Sequence, residues 1–233
     1  MKFEETLKEY NIDINPEQIN QFEIYKKLLL EWNEKINITR ITEAQEIYIK
    51  HFLDSLTLIN TGLIKEGKSL IDIGTGGGFP GLPLKIMYPG LKISLMDSLN
   101  KRIIFLQEVI KELNLKNIEA VHGRAEGYGR KEDYREKFDL VTNRALANMS
   151  SLAEYSLPFV KKAGYFIAMK GSEYKEEVKE AKNAIDILGG KIVDIKEIKL
   201  PGEILHSLII VEKIRETPKK YPRAGGKPRT QPL

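Results

Sequence analysis

The apolar positions of this chain change period partway along it. Between residues 16 and 32, Phe22, Tyr25, Leu28, Leu29 and Trp32 recur at spacings of three and four, the stripe of an amphipathic helix. Asn15 is placed to cap that helix and Pro16 to open it. The stripe breaks in EWNEKINITR, residues 31–40, and a second helix is expected near residues 43–60. From residue 69 the pattern is different. Leu70, Ile71 and Ile73 form a short apolar run, as in a strand covered on both faces of a parallel sheet. Strand and helix then alternate, with strands expected over residues 92–96, 117–122, 138–142 and 165–169 and helices over 100–113 and 174–188. Two last strands, 191–200 and 206–212, flank the turn residues Pro201 and Gly202 and are expected to pair antiparallel. The reading is α/β: a doubly wound, Rossmann-like sheet of seven mostly parallel strands behind an N-terminal helical extension.

Charge refines this organisation. The net charge is +4, and residues 215–233 hold six basic side chains against the single acid Glu216. The rest of the chain is close to neutral. Three segments follow: a helical extension over 1–60, a sheet domain over 61–214 and a basic tail over 215–233. There is no cysteine, which excludes disulfides, zinc–cysteine clusters and any thiolate nucleophile. No secretory leader and no apolar run of membrane length is present, so a cytoplasmic address is expected. His51 and Asp54 share a helical face without a third metal ligand, and a hydrogen bond at the helix surface is the expectation there. Trp32 is expected to serve the core; His122 and His206 read as packed or structural, not catalytic.

Candidate chemistry begins at SLIDIGTGGGFPG, residues 69–81. A dinucleotide loop, G-x-G-x-x-G, would need glycine at position 79, where this chain has Phe79. The spacing of Asp72, Gly74, Gly76 and Gly78 instead resembles the first motif of S-adenosylmethionine-dependent methyltransferases. An acid suits the cationic parts of that cofactor, and Pro80 suits the first position of a following helix. A tight turn without a ligand, or a nicotinamide site, is the alternative. Asp97 ends the second strand and is placed to accept two hydrogen bonds from ribose hydroxyls. The alternative is a cap for the next helix, which Ser98 or Asn100 could supply equally well, and the ribose reading is favoured because loop and acid arrive together. Ala125 and Glu126, after the third strand, are placed to read an adenine edge, although alone they would pass as a helix start.

The fourth strand runs into Asn143-Arg144-Ala145-Leu146-Ala147. Enzymes that methylate exocyclic amines commonly carry an Asn/Asp-Pro-Pro-aromatic motif at this place, and this chain does not. Arg144 points instead to an acceptor atom, a phosphate or the cofactor. The alternative is an arginine at a helix N-terminus, a poor place for a cation. In the tail, TPKKYPRAGGKPRTQPL, four prolines argue against regular structure. Lys219, Lys220, Arg223, Lys227 and Arg229 suit phosphates, and Tyr221 suits a stacked base. A merely solvated tail is the alternative.

Taken in order, WNEKINITRI, KHFLDSL, LIDIGTGGGFPGLPL, LMDSLNKR, GRAE, NRALA and YPRAGGKPRTQPL resemble the ribosomal small-subunit methyltransferase G family, also called glucose-inhibited division protein B. The resemblance implies a class I fold and methyl transfer from S-adenosylmethionine to N7 of a guanine in 16S ribosomal RNA, on naked RNA or the small subunit. It implies that Gly74 and Phe79 contact the cofactor, that Ala125 and Glu126 hold its adenosine end, and that Arg144 sits beside the transferred methyl. No metal and no catalytic base are expected, because guanine N7 carries a lone pair and no proton. A monomer is the default expectation. Two other readings stay open: a small-molecule methyltransferase, and a non-catalytic RNA-binding assembly factor.

Overall fold

The computed structural model of the chain describes residues 3–144 and 147–233; Ala145 and Leu146, in the motif after the fourth strand, lie outside the described residues. Helices α1 (Phe3–Glu9) and α2 (Pro16–Ile36) come first. They are followed by α3 (Ala44–Ile47), a π-helical turn over Tyr48–Leu53, α4 (Asp54–Leu56) and a 3-10 turn over Thr57–Thr61. Next are β1 (Ser69–Ile73), α5 (Gly81–Met87), β2 (Lys92–Asp97), α6 (Asn100–Glu112), β3 (Ile118–His122) and α7 (Ala125–Tyr128). The chain continues through β4 (Phe138–Arg144), α8 (Met149–Ser156), β5 (Val160–Lys170), α9 (Tyr174–Ile187), β6 (Gly190–Leu200), β7 (Ile204–Lys213) and α10 (Lys227–Thr230). The strands form one mixed sheet in the order β3-β2-β1-β4-β5-β7-β6. The chain divides into two compact units.

The first unit comprises Met1–Lys68 and Thr75–His122. Asn15 and Gln18 form a reciprocal capping box at the start of α2, with bonds of 2.9 and 3.0 Å. The helix buries Phe22, Tyr25 and Leu29. Trp32 is half-buried against Phe105 of α6. The single helix expected over 43–60 passes instead from α to π to 3-10 geometry. Every residue from His51 to Leu58 is buried, so no polar stripe is left to give that segment a simple helical period. Strands β2 and β3 pair in parallel, with Ile93 opposite Ile118 and Asp97 opposite His122.

The second unit comprises Ser69–Gly74 and Gly123–Leu233. Parallel pairing sets Leu70 of β1 opposite Leu140 of β4, and Asp72 opposite Thr142. Asp139 fixes this register from one end by accepting from the N–H and the hydroxyl of Ser69, each at 2.9 Å. Strands β6 and β7 pair antiparallel, as the turn at Pro201-Gly202 implies, and β7 pairs antiparallel with β5 on its other side. The edge strand β6 is blunted by a bulge between Ile192 and Asp194 and by the exposed Lys191 and Lys199.

The tail corrects the expectation. It packs into the second unit: Thr217, Tyr221, Pro222 and Pro228 are buried, and Lys227–Thr230 form α10. Proline bars a strand or a long helix here, but it does not bar a chain held through its carbonyls. Arg135 donates to the carbonyls of Thr217 at 2.6 Å and Tyr221 at 2.8 Å. Arg130 donates to those of Pro222 at 2.9 Å and Lys220 at 3.0 Å.

Candidate functional site

In the first unit the glycine loop is shaped from below by the helical extension. The hydroxyl of Tyr25 donates to the carbonyl of Gly77. The Tyr25 ring stacks on Phe79 at 5.5 Å, and the His51 ring stacks on Phe79 at 4.4 Å. The other end of that imidazole, Nε2, lies 2.8 Å from the Thr39 hydroxyl. These contacts also explain two of the glycines. A Cβ on Gly77 would lie 2.9 Å from Ile38 Cγ2, and one on Gly78 would lie 2.8 Å from the Tyr25 hydroxyl and 2.3 Å from Leu82 Cδ1. Gly78 has φ +99°, a conformation closed to side chains in any case. Glycine at these two positions admits the protein's own neighbours.

Asp97 is tied to the same loop. Its side chain is 3% exposed. Oδ2 accepts from Gly76 N–H at 3.0 Å and from Arg102 Nη1 at 3.2 Å, and Oδ1 accepts from Leu99 N–H at 2.9 Å. A carboxylate offers about four acceptor sites, so three are occupied and one is left, where the sequence suggested two for ribose hydroxyls. The same carboxylate serves the entry to α6; neither Ser98 nor Asn100 caps that helix, whose cap residue is Leu99. Pro80 is likewise one residue earlier than expected, at the cap of α5, and Gly81 opens the helix.

In the second unit the strand order reverses between β1 and β4, and ligands in such sheets lie outside the carboxyl ends of the strands at this point. Asp72 is fully buried near the end of β1, and Gly74 follows with φ +69°. Arg144 is the last residue of β4, two residues past the partner of Asp72, and faces Met169 of β5. It is therefore a strand terminus; the next helix, α8, begins five residues later with Asn148 as its cap, its side chain accepting from Ser151 N–H at 2.9 Å. Ala125 and Glu126 form the first turn of α7, Ala125 buried and Glu126 half-buried. Beside them on α8, Tyr155 has its phenol raised above the usual range by burial first, then by the carboxylates of Glu126 and Glu154.

The tail residues divide. Lys219, Lys220, Lys227 and Arg229 are exposed. Tyr221 is 6% exposed, so its ring packs inside and does not stand out to stack on a base. Arg223 is held by Glu154 through a 2.7 Å contact. Among the described residues, no three His, Cys, Asp or Glu side chains are grouped as metal ligands, and no helix is long and apolar enough to cross a membrane.

Residues 18–206 match the family described as rRNA small subunit methyltransferase G. The chain belongs to this family. The curated relatives agree over nearly the whole length. The ribosomal RNA small subunit methyltransferase G of Lachnoclostridium phytofermentans is 55% identical over 99% of this chain and 96% of its own. That of Alkaliphilus metalliredigens is 52% identical over 97% and 95%. Among solved structures, a SAM-dependent methyltransferase from Aquifex aeolicus superposes with a TM-score of 0.56, at 20% identity over 75% of this chain and 96% of that one. That likeness identifies the sheet as the class I methyltransferase fold. Three residues of the family's chain here were not singled out from sequence as parts of a site: Tyr25, Glu154 and, as a support for the loop, His51. Each acts on a partner distant in sequence, and the local pattern of His51, a pair with Asp54 on one helical face, points to a different role.

Proposed function

We propose that the chain transfers the methyl group of S-adenosylmethionine to N7 of a guanine in small-subunit ribosomal RNA, acting in the cytoplasm as a monomer. The whole-length family match supports the substrate class. The observation that carries the cofactor assignment is the buried Asp97 carboxylate, bonded to Gly76 of the glycine loop with one acceptor site to spare. The donor set suits the ligand: Asp72 and Asp97 offer anionic oxygens, and Gly74, Gly76, Gly78 and Phe79 offer backbone. Ala125 and Glu126 offer the adenosine end a buried methyl and a carboxylate, and Arg144 belongs to the reacting end. Phe79 contributes through its backbone, since its ring is taken up by Tyr25 and His51.

When bound, S-adenosylmethionine supplies an electrophilic methyl on a cationic sulfur. Its methyl would pass to the N7 lone pair while the carbon–sulfur electron pair stayed with sulfur, which would shift positive charge to the guanine. No proton moves, so the residues orient and no base is required. Arg144 orients cofactor or guanine from the end of β4. Lys219, Lys220, Lys227 and Arg229 meet phosphates.

The test is transfer of labelled methyl to small-subunit RNA lacking the modification, followed by borohydride and aniline, which cleave at 7-methylguanosine. One discrete cleavage is expected. Label without cleavage would move the target to another atom, and no label on RNA with cofactor still bound would favour a small-molecule substrate. In the same assay Arg144→Ala is expected to lose rate equally across the pH range. Rescue by alkaline pH would instead assign Arg144 to proton transfer.

A further inference from the structure

Glu154 carries a carboxylate into the interior of the second unit, where it is 0% exposed. It accepts from the backbone N–H of Arg223 at 2.7 Å, from Nε at 2.9 and 3.1 Å, and from Nη2 at 2.7 Å. The hydrogen bonds to Glu154 raise the pKa of the Arg223 guanidinium above its ordinary value. A pair like this loses hydration on both sides and returns little net stability. Its stronger effect is on register: the carboxylate takes a main-chain N–H and a planar fork from one residue, and sliding the tail by a residue would break all four bonds.

Other contacts extend the same register. Ser151, one turn before Tyr155 on α8, donates its hydroxyl to the Pro228 carbonyl at 2.6 Å, and α10 packs on α8. Arg223 Nη2 also donates to the Gln231 carbonyl at 2.8 Å, closing residues 223–231 on themselves. The inner side of the segment is thus committed to the protein, while Lys227 and Arg229 of α10 face outward and exposed. The charge of Arg229 is felt at Tyr155 of α8, the helix on which α10 packs.

We propose that Arg223 is a positioning residue, not an RNA contact: paired with the buried Glu154, it holds the C-terminal segment in one register, so that Lys227 and Arg229 meet the ribosomal RNA backbone from a preformed arm. This rests on ribosomal RNA being the substrate. A preformed arm binds without the ordering cost that a free basic tail would bear.

The experiment measures affinity of the full chain for small-subunit RNA against salt concentration. Glu154→Gln removes a negative charge, so simple electrostatics requires tighter binding. The proposal requires weaker binding, by about tenfold, with the slope of log K against log salt unchanged because the outward cations remain. Lys227→Gln with Arg229→Gln, both exposed, is expected to lower the slope by about 0.7 per lost contact. Unchanged or tighter binding by Glu154→Gln overturns the proposal, and so does a slope loss of about 0.7 on Arg223→Gln alone. Should Glu154→Gln fail to fold, Arg223→Lys decides, since it keeps the charge and loses the fork. Weaker binding at an unchanged slope supports the proposal, and wild-type binding overturns it. A wild-type chain without affinity for the RNA would overturn the substrate reading as well, whereas binding by wild type and all variants alike would overturn only the register.

Discussion

The hydroxyl of Tyr25 donates to the carbonyl of Gly77 from a fully buried position, fifty-two residues earlier in the chain. Removing it leaves a loop carbonyl without its donor, and one hydrogen bond of this kind contributes about 1–1.5 kcal/mol. Tyr25→Phe is therefore expected to weaken S-adenosylmethionine binding about tenfold, with the KM for RNA unchanged; equilibrium titration of the cofactor checks this, and wild-type affinity would show that the loop holds its shape unaided. The residues of this region differ in how far sequence discloses them. Asp72, Gly74, Gly76 and Gly78 are legible as the buried end of a strand and the turn after it, because that signal is local in sequence. Asp97 is legible as an acid in the right place, but its three intramolecular bonds are not, since two come from backbone N–H groups that sequence does not aim. Tyr25 reads as one more apolar position of an amphipathic helix, and only tertiary packing turns its polar tip toward the loop.

Among the elements, strands β1 to β7 were legible to within a few residues, the inner ones as apolar runs and the edge strand β6 as apolar and polar positions in alternation. Their extensions, such as Val160–Lys170 where residues 165–169 were expected, begin in lysines and a glycine that carry no apolar signal. The helical stretch after α2 was legible as helical, but not its π-helical and 3-10 segments, which arise where burial encircles the chain. The tail was read as irregular for a sound local reason, its prolines. What defeats that reading lies elsewhere: Arg130 and Arg135 sit in a stretch that looks simply solvated, and Glu154 lies in MSSLAEYS, sixty-nine residues before its partner. An arginine that donates to main-chain carbonyls can dock any sequence, so composition gives no warning.

At the scale of the molecule, one buried cation links the end of the sheet to the tail and makes stability depend on pH. Lys213, last residue of β7, is fully buried; its ammonium donates to the Leu157 carbonyl and to Thr217 Oγ1 at 2.7 Å, and pairs with Glu136 at 3.0 Å. Burial outweighs these partners and lowers its pKa from 10.5 to about 8. Below about pH 8 both folded and unfolded chains keep the proton, so this group contributes no slope. Between about 8 and 10.5 the unfolded chain binds more protons than the folded one, and stability must rise with pH. Denaturant titrations of wild type and Lys213→Met are expected to diverge in wild type's favour across that window, by at most about 3 kcal/mol. A constant difference would show that the ammonium is solvated in the folded chain.

The docked tail also orders events in time. Synthesis runs from the N-terminus, and domains close as their parts become available. Ser69–Gly74 of the second unit is made early, yet its strand partner β4 follows only after residue 137, and Glu154 is buried against an arginine made sixty-nine residues later. Until Arg223 emerges from the ribosome, that carboxylate lacks the guanidinium it settles against. The second unit of this protein therefore closes only once Arg223 has emerged, and a chain stopped upstream of Arg223 would hold an uncompensated charge in its interior.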